Sequence, residues 1–303
     1  MQNYFKKISD LLFNALESSE ILILNFDAEE TDFVRYNKSK IRQAGRVHQV
    51  SLDINLIKKG KTLRSSLRLS TEYNKDKTLL VRTLFFLRRE VNELPKDPYL
   101  IYEKNINSSN IIDDQGLNAQ DMSSRILDIS SSHDMVGILS SGKIIKGFAN
   151  SLGQFNWHES DSFNFDWSLY DDNGKAVKQN YADRKWNQDT FTRLYAESAQ
   201  QLSVISNDEQ KVEPGSYRVY LSPSALNEII DMMSWGGFSY KANKIGSSPL
   251  HLMAKGDREF NKSVSFSEDL SNGISPKFHS DGFIKPNNTE LITEGKYQKS
   301  LIS

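Results

Sequence analysis

Apolar residues along this chain recur at helical and strand periods, in an order that repeats. Phe5, Ile8, Leu11, Leu12, Ala15 and Leu16 fall three and four residues apart, which predicts an amphipathic helix over 4–17. Strands follow at 21–26 and 33–36, then a long one with Val50, Leu52, Ile54 and Leu56 on one face. Lys59-Gly60 turns that strand into a fourth, in which Leu63, Leu67 and Leu69 share a face. A second helix over 77–94 carries Leu80, Leu84, Leu87, Val91 and Leu94, and Pro95 closes it.

A polar connector, rich in Asn and Ser, occupies 97–116, and then the order starts again. A helix over 117–129 precedes strands at 135–139 and 143–148, read as a hairpin around Ser141-Gly142. The clearest strand covers 162–170, with Phe163, Phe165, Trp167 and Leu169 alternating against Ser162, Asn164, Asp166 and Ser168. Asp172-Asn173-Gly174 is a turn, a strand follows at 175–179, and a helix over 188–202 buries Phe191, Leu194, Tyr195 and Leu202. Beyond it, the turn Glu213-Pro214-Gly215-Ser216 leads into a strand in which Tyr217, Val219 and Leu221 share a face. Ser222-Pro223 then reads as a helix start, Leu226, Ile229, Ile230 and Met233 as its buried stripe, and Gly236-Gly237 as its stop.

Residues 241–303 are short strand-like runs broken by Gly and Pro, ending in a hairpin through Glu294-Gly295. The pattern therefore predicts an α+β protein. Its N-terminal α+β domain, 1–211, holds two helix–antiparallel-sheet–helix units, or one sheet built by duplication. A β-rich C-terminal domain, 212–303, follows; its last strand stops at the terminus, so the hairpin either closes the fold as an edge or, as the domain's incomplete look suggests, belongs to a truncated sheet.

Composition narrows the class without naming a chemistry. The 303 residues are 38% apolar and 25% charged, with a formal net charge of -1, so nothing draws the whole chain toward nucleic acid or anionic lipid. The absence of cysteine removes disulfides, thiol catalysis and Cys-based zinc sites, and fits a reducing compartment. No apolar run has the length of a membrane span and the N-terminus lacks a signal-peptide pattern, so the expectation is a soluble, cytoplasmic protein.

Candidate chemistry centres on Glu228. A strand feeding a short helix that carries a glutamate suits a metallopeptidase base, but its neighbours are Asn227 and Met232, neither of them a zinc ligand. The residues alone favour the plainer reading, in which Glu228 and Asp231 are solvated acids in the first turns of a helix. The histidines, His48, His133, His158, His251 and His279, show no metal-binding spacing. His158, flanked by Trp157 and Glu159, is a candidate ligand or a half-buried strand histidine. The basic run Arg35, Lys38, Lys40, Arg42 and Arg46 lies along a hairpin; it could meet an acidic partner, but the near-neutral total favours a solvated strand face.

Several stretches resemble the TldD/PmbA (TldE) family: Y-R-V-Y-L-S-P-S-A-L-N-E-I-I-D-M-M-S-W-G-G-F-S, the upstream G-K-I-I-K-G-F-A-N-S-L-G, V-R-Y-N-K-S-K-I-R-Q-A-G, and G-F-I-K-P with L-I-T-E-G-K-Y near the end. That family, once described as modulators of DNA gyrase, is regarded as a peptide-processing metalloprotease system. The resemblance implies an N-terminal α+β domain and a β-rich C-terminal domain, packed as a dimer around a cavity. The catalytic subunit's His-Glu-x-x-x-His falls here on Asn227-Glu228-Ile229-Ile230-Asp231-Met232, where only the glutamate matches. The resemblance thus implies a TldE/PmbA-like, non-catalytic subunit or regulator acting on peptides, with no cofactor of its own. Zinc or iron would belong to a TldD-like partner; a homodimer is the other pairing. Two alternatives stand beside it: an active metallopeptidase using Glu228 with ligands such as His158 or His251, and a stand-alone peptide-binding protein.

Overall fold

Alternation of inward apolar and outward polar residues sets the strands, and it runs longer than the apolar clusters alone suggest. In a computed structural model of the chain, residues 1–112, 118–271 and 273–302 are described. The two strands expected at 21–26 and 33–36 are one, β1 (Glu20–Asn37). Its even-numbered residues Leu22, Leu24, Phe26, Ala28, Val34 and Tyr36 are all buried. The polar stretch between them stays extended because strands flank it on both sides, β2 (Lys40–Lys58) and β5 (Asp134–Asn150), each pairing antiparallel along nearly its whole length. β3 (Lys61–Leu69) completes the first three-stranded part.

β5 corrects the hairpin expected around Ser141-Gly142, where the chain does not turn. Gly142 lies mid-strand opposite Thr31, and a Cβ there would collide with the Glu30 carbonyl, so this glycine serves close strand approach. β6 (Phe155–Tyr170) pairs with β5, and β7 (Ala176–Asp183) with β6. A further strand, β4 (Ser108–Ile112), lies within the expected connector and runs parallel to β6. The end of that connector and the first residue of the expected third helix, 113–117, lie outside the described residues.

These strands form one seven-stranded sheet in the order β3-β2-β1-β5-β6-β4, with β7 also on β6. The helices are α1 (Gln2–Phe13), α2 (Tyr73–Glu90), α3 (Ala119–Ser130) and α4 (Gln188–Ile205). α1 and α2 bury Phe5, Ile8, Leu80 and Leu84 against the even face of β1 and β2. α3 and α4 bury Met122, Ile126, Phe191 and Tyr195 against Val34, Tyr36, Phe165 and Trp167 on the same side. Helix, three antiparallel strands, helix therefore occurs twice, but the halves share one sheet, because β1 and β5 pair at its centre.

The chain divides into two compact units, the first Met1–Ser206 with Ile274–Lys285, the second Asn207–Gly273 with Pro286–Ser303. In the first unit the returning segment brings Phe278 onto Ile23, Ile57 and Phe148, covering one end of the sheet face that carries no helices. The second unit holds α5 (Pro223–Ser234), two short helices, α6 (Tyr240–Lys244) and α7 (His251–Ala254), and three short strands, β8 (Phe266–Asp269), β9 (Asn288–Thr293) and β10 (Lys296–Tyr297). Helices α6 and α7 stand where the sequence suggests strands. The terminal hairpin forms as expected, with Glu294 and Gly295 both at positive φ, 48° and 80°.

Candidate functional site

The Ser222-Pro223 start works as its residue types dictate. Ser222 Oγ accepts from the Ala225 N–H at 3.3 Å, Pro223 occupies the first turn, and Gly236 leaves the helix at φ 78°. The preceding strand does not form: residues 217–221 have no regular structure, and Tyr217 instead donates its hydroxyl to the Glu213 carbonyl at 2.6 Å. A strand needs a neighbour to satisfy its backbone, and none pairs with this segment among the described residues.

The expected buried stripe of α5 is uncovered as well, since no residue of this helix is buried. Leu226 is 41% exposed and Met232 67%. The second unit's own core, Phe238, Leu250, Met253, Leu291 and Ile292, reaches only Met233 of the helix. With Val212, Tyr217, Val219, Tyr220, Leu221 and Trp235 also exposed, residues 212–235 leave many large apolar side chains uncovered among polar and charged ones.

Glu228 lies on this exposed helix. Beside it, the Asn227 amide donates to Asp231 Oδ2 at 3.0 Å, and Met232 offers a soft thioether. This set does not fit a zinc or iron centre, which needs imidazole, carboxylate or thiolate donors converging at about 2 Å. No group of three or more His, Asp or Glu side chains placed to hold a metal occurs among the described residues.

The two candidate histidines are engaged elsewhere. His251 Nδ1 sits 3.1 Å from the Asn243 carbonyl within the second unit. His158 is buried in the first unit, where Nε2 donates to the Ile274 carbonyl at 2.8 Å and Nδ1 faces Asn110 Nδ2 at 3.5 Å. Burial lowers its pKa below the ordinary histidine value, against the Ile274 carbonyl and the Glu159 charge, and the charge of Lys285 lowers it further.

His158 belongs to a buried polar clasp whose one trace in the sequence is the amide-bearing run N-S-L-G-Q-F-N, 150–156. Gln154 Nε2 donates to the Gly282 carbonyl at 2.7 Å, and Asn156 Nδ2 donates to the Ile106 carbonyl at 2.8 Å. Asn150 Nδ2 reaches the Glu103 carbonyl at 3.0 Å. Buried side-chain amides here satisfy backbone carbonyls of the connector and the returning segment, beside the few backbone bonds those segments make. They hold these segments in place.

Neither a family model nor a curated protein sequence matches this chain. Solved structures do. One is described as a modulator of a DNA gyrase from Thermotoga maritima, with TM-score 0.71 and 18% identity over 99% of this chain and 71% of that one. A second is TldE from Thermococcus kodakarensis, with TM-score 0.67 and 11% identity over 100% of this chain and 70% of that one. The fold is that of TldE. A further structure, described as a modulator of DNA gyrase from Bacteroides thetaiotaomicron, agrees at TM-score 0.67 and 12% identity, covering 100% and 72% of the two chains. The TldE likeness extends the resemblance read from the sequence to the whole described fold. No helix among the described residues is long and apolar enough to cross a membrane.

Proposed function

We propose that this chain is a TldE/PmbA-like, non-catalytic component of a cytoplasmic peptide-processing metalloprotease system. In this reading it assists a TldD-like catalytic chain that holds the zinc or iron, and it needs no cofactor itself. The observation that carries the reading is the set of uncovered apolar side chains over 212–235 on a fold shared with TldE. Exposed apolar surface of this kind marks a partner interface, and large side chains such as Trp235 and Tyr220 are the types that anchor one. The amide and thioether beside Glu228 support an assisting rather than a cutting role.

Co-expression with a TldD-type chain, followed by light scattering and a peptide-cleavage assay, tests it. A stable complex that Ile229→Glu with Met232→Glu disrupts, and whose cleavage is unchanged by Glu228→Ala, is the expected result. Loss of cleavage in Glu228→Ala, with stoichiometric metal in this chain alone, would establish the metallopeptidase alternative. A homodimer that binds peptides and ignores TldD-type chains would establish the stand-alone one.

A further inference from the structure

β2 is paired on both sides over only part of its length. β3 ends with Leu69 opposite Val50, and the chain then leaves through Thr71, at φ 64°, into α2. Residues 41–49 keep β1 as their single strand neighbour among the described residues, leaving one backbone edge open for roughly 30 Å. That edge is accessible: Ile41 is 50% exposed, and Arg42, Gln43, Ala44, Arg46, His48 and Gln49 are exposed too.

The edge is also held in shape. Lys38 and Ser39 at the β1–β2 turn both have φ 51°, an unfavourable conformation for such residues. It persists because the Ser39 hydroxyl, which accepts from the Met135 N–H at 3.3 Å, lies within donating distance of the His133 carbonyl at 2.6 Å and the Ser130 carbonyl at 2.8 Å, while the Ser39 N–H donates to the Met135 carbonyl at 3.0 Å. The Phe33 ring lies across Gly45, where a Cβ would meet it at 2.8 Å. Side chains of an added strand alternate between two faces, and an open groove flanks the edge on each. One, of about 820 Å³, is lined by Ile41, Ala44, Arg46 and Leu127; the other, of about 520 Å³, by Phe33, Arg35, Gln43 and Ile138.

Charge divides along this edge. Toward the β3 end two acids have close partners, Asp32 in Arg46 at 2.6 Å and Glu29 in Gln49 at 2.8 Å, while His48 lies 3.7 Å from Glu30. Toward the turn, Arg35, Lys38, Lys40 and Arg42 have no acidic partner among the described residues. We propose that residues 41–49 dock an extended polypeptide strand that continues the line of β3, antiparallel to β2, with carboxylates at its C-terminal end beside Lys38, Lys40 and Arg42. Antiparallel pairing supplies the backbone bonds and the basic turn fixes direction. In an antiparallel pairing of two copies by this edge, the basic turn of each would face the Gln49 end of the other, where Glu29 and Asp32 already have partners, so a second copy answers the four cations less fully than a strand ending in free carboxylates. The proposal stands on the sheet alone and holds whether or not the chain pairs with a TldD-like partner.

The test is fluorescence anisotropy on the full chain with a labelled peptide of about nine residues. The probe alternates threonine and valine and ends in two glutamates and a free carboxylate. Saturable binding is expected, weakened about tenfold or more when lysines replace the glutamates, when the glutamates move to the N-terminus, or when Lys40→Glu and Arg42→Glu are combined. N-methylation of alternate peptide amides should abolish binding in one frame and spare it in the other, because every second N–H of an added strand faces β2. No saturable binding overturns the proposal. So does equal binding of both N-methylated frames, which would reduce the contact to charge alone, and so does indifference to where the glutamates sit. The peptide arms need no protein variant, so they hold even if the double substitution perturbs folding.

Discussion

The Arg88 guanidinium grips Glu20 with two parallel bonds, Nε to Oε1 and a terminal nitrogen to Oε2, both at 2.8 Å. The Glu20 carboxylate is fully shielded from solvent at the start of β1, with Lys58 3.2 Å away and the Glu17 N–H donating at 3.0 Å. Burial works to raise its pKa, but the bonds from Arg88, the Glu17 N–H and Lys58 outweigh burial and bring it down to about 2.

That pair makes acid stability predictable. A carboxyl whose folded pKa is depressed contributes stability that is complete above its unfolded value and disappears as pH falls toward the folded one. Urea midpoints should therefore drop between about pH 4.5 and pH 2, with Glu20 accounting for on the order of 2–3 kcal/mol. Glu20→Gln should lower stability at neutral pH and flatten this part of the curve. An unchanged slope would refute the assignment.

His158 predicts a second, earlier step. Its folded pKa lies below the ordinary 6.5, so the unfolded chain takes up its proton first and stability falls as pH drops below 6.5. In the protonated ring Nδ1 would become a donor facing the Asn110 amide. Hydrogen-exchange protection of residues 274–285, corrected for the intrinsic pH dependence of exchange, should fall as pH drops from 7 to 5.5, and His158→Gln should remove that dependence while leaving the acid step of Glu20.

Two glycines should respond differently to alanine. At Gly142 a Cβ would meet the β1 backbone, so Gly142→Ala should cost the upper end of about 1–3 kcal/mol and loosen β1 from β5. Gly174 has open space around it and only its φ of 81° against it, so Gly174→Ala should cost about 1 kcal/mol. Urea denaturation of the two variants ranks them, and the reverse order would contradict the mid-strand role of Gly142.

On α5, Ile229→Glu and Met232→Glu should each change the stability of the isolated chain by less than about 0.5 kcal/mol, because neither side chain is buried. Leu84→Ala, in the core beneath α2, should cost about 2–5 kcal/mol. Comparable losses at both places would mean that α5 is covered within this chain.

Much of the first unit was legible because its signals are local. The three- and four-residue spacing of α1, the alternation from Phe163 to Leu169, and the Asp172-Asn173-Gly174 turn each depend on near neighbours in the chain. The continuation of β1 through Glu29-Glu30-Thr31-Asp32 was not, because those residues are extended only through β2 and β5 on either side. Ser141-Gly142 carries the composition of a turn, and only the approach of β1 reveals it as a strand.

By itself, then, the sequence determined the α+β class, the repeated helix–strands–helix order, the capped start of α5, and the company Glu228 keeps, since each follows from residue type at fixed spacing. Tertiary structure alone decided that both repeats share one sheet, that His158 and Gln154 hold the returning segment, and that the α5 stripe lies open. It also decided that β2 outruns β3 beside a basic turn. Those outcomes depend on which distant segments meet, and the free energy of a long-range contact belongs to the pair rather than to either stretch of chain.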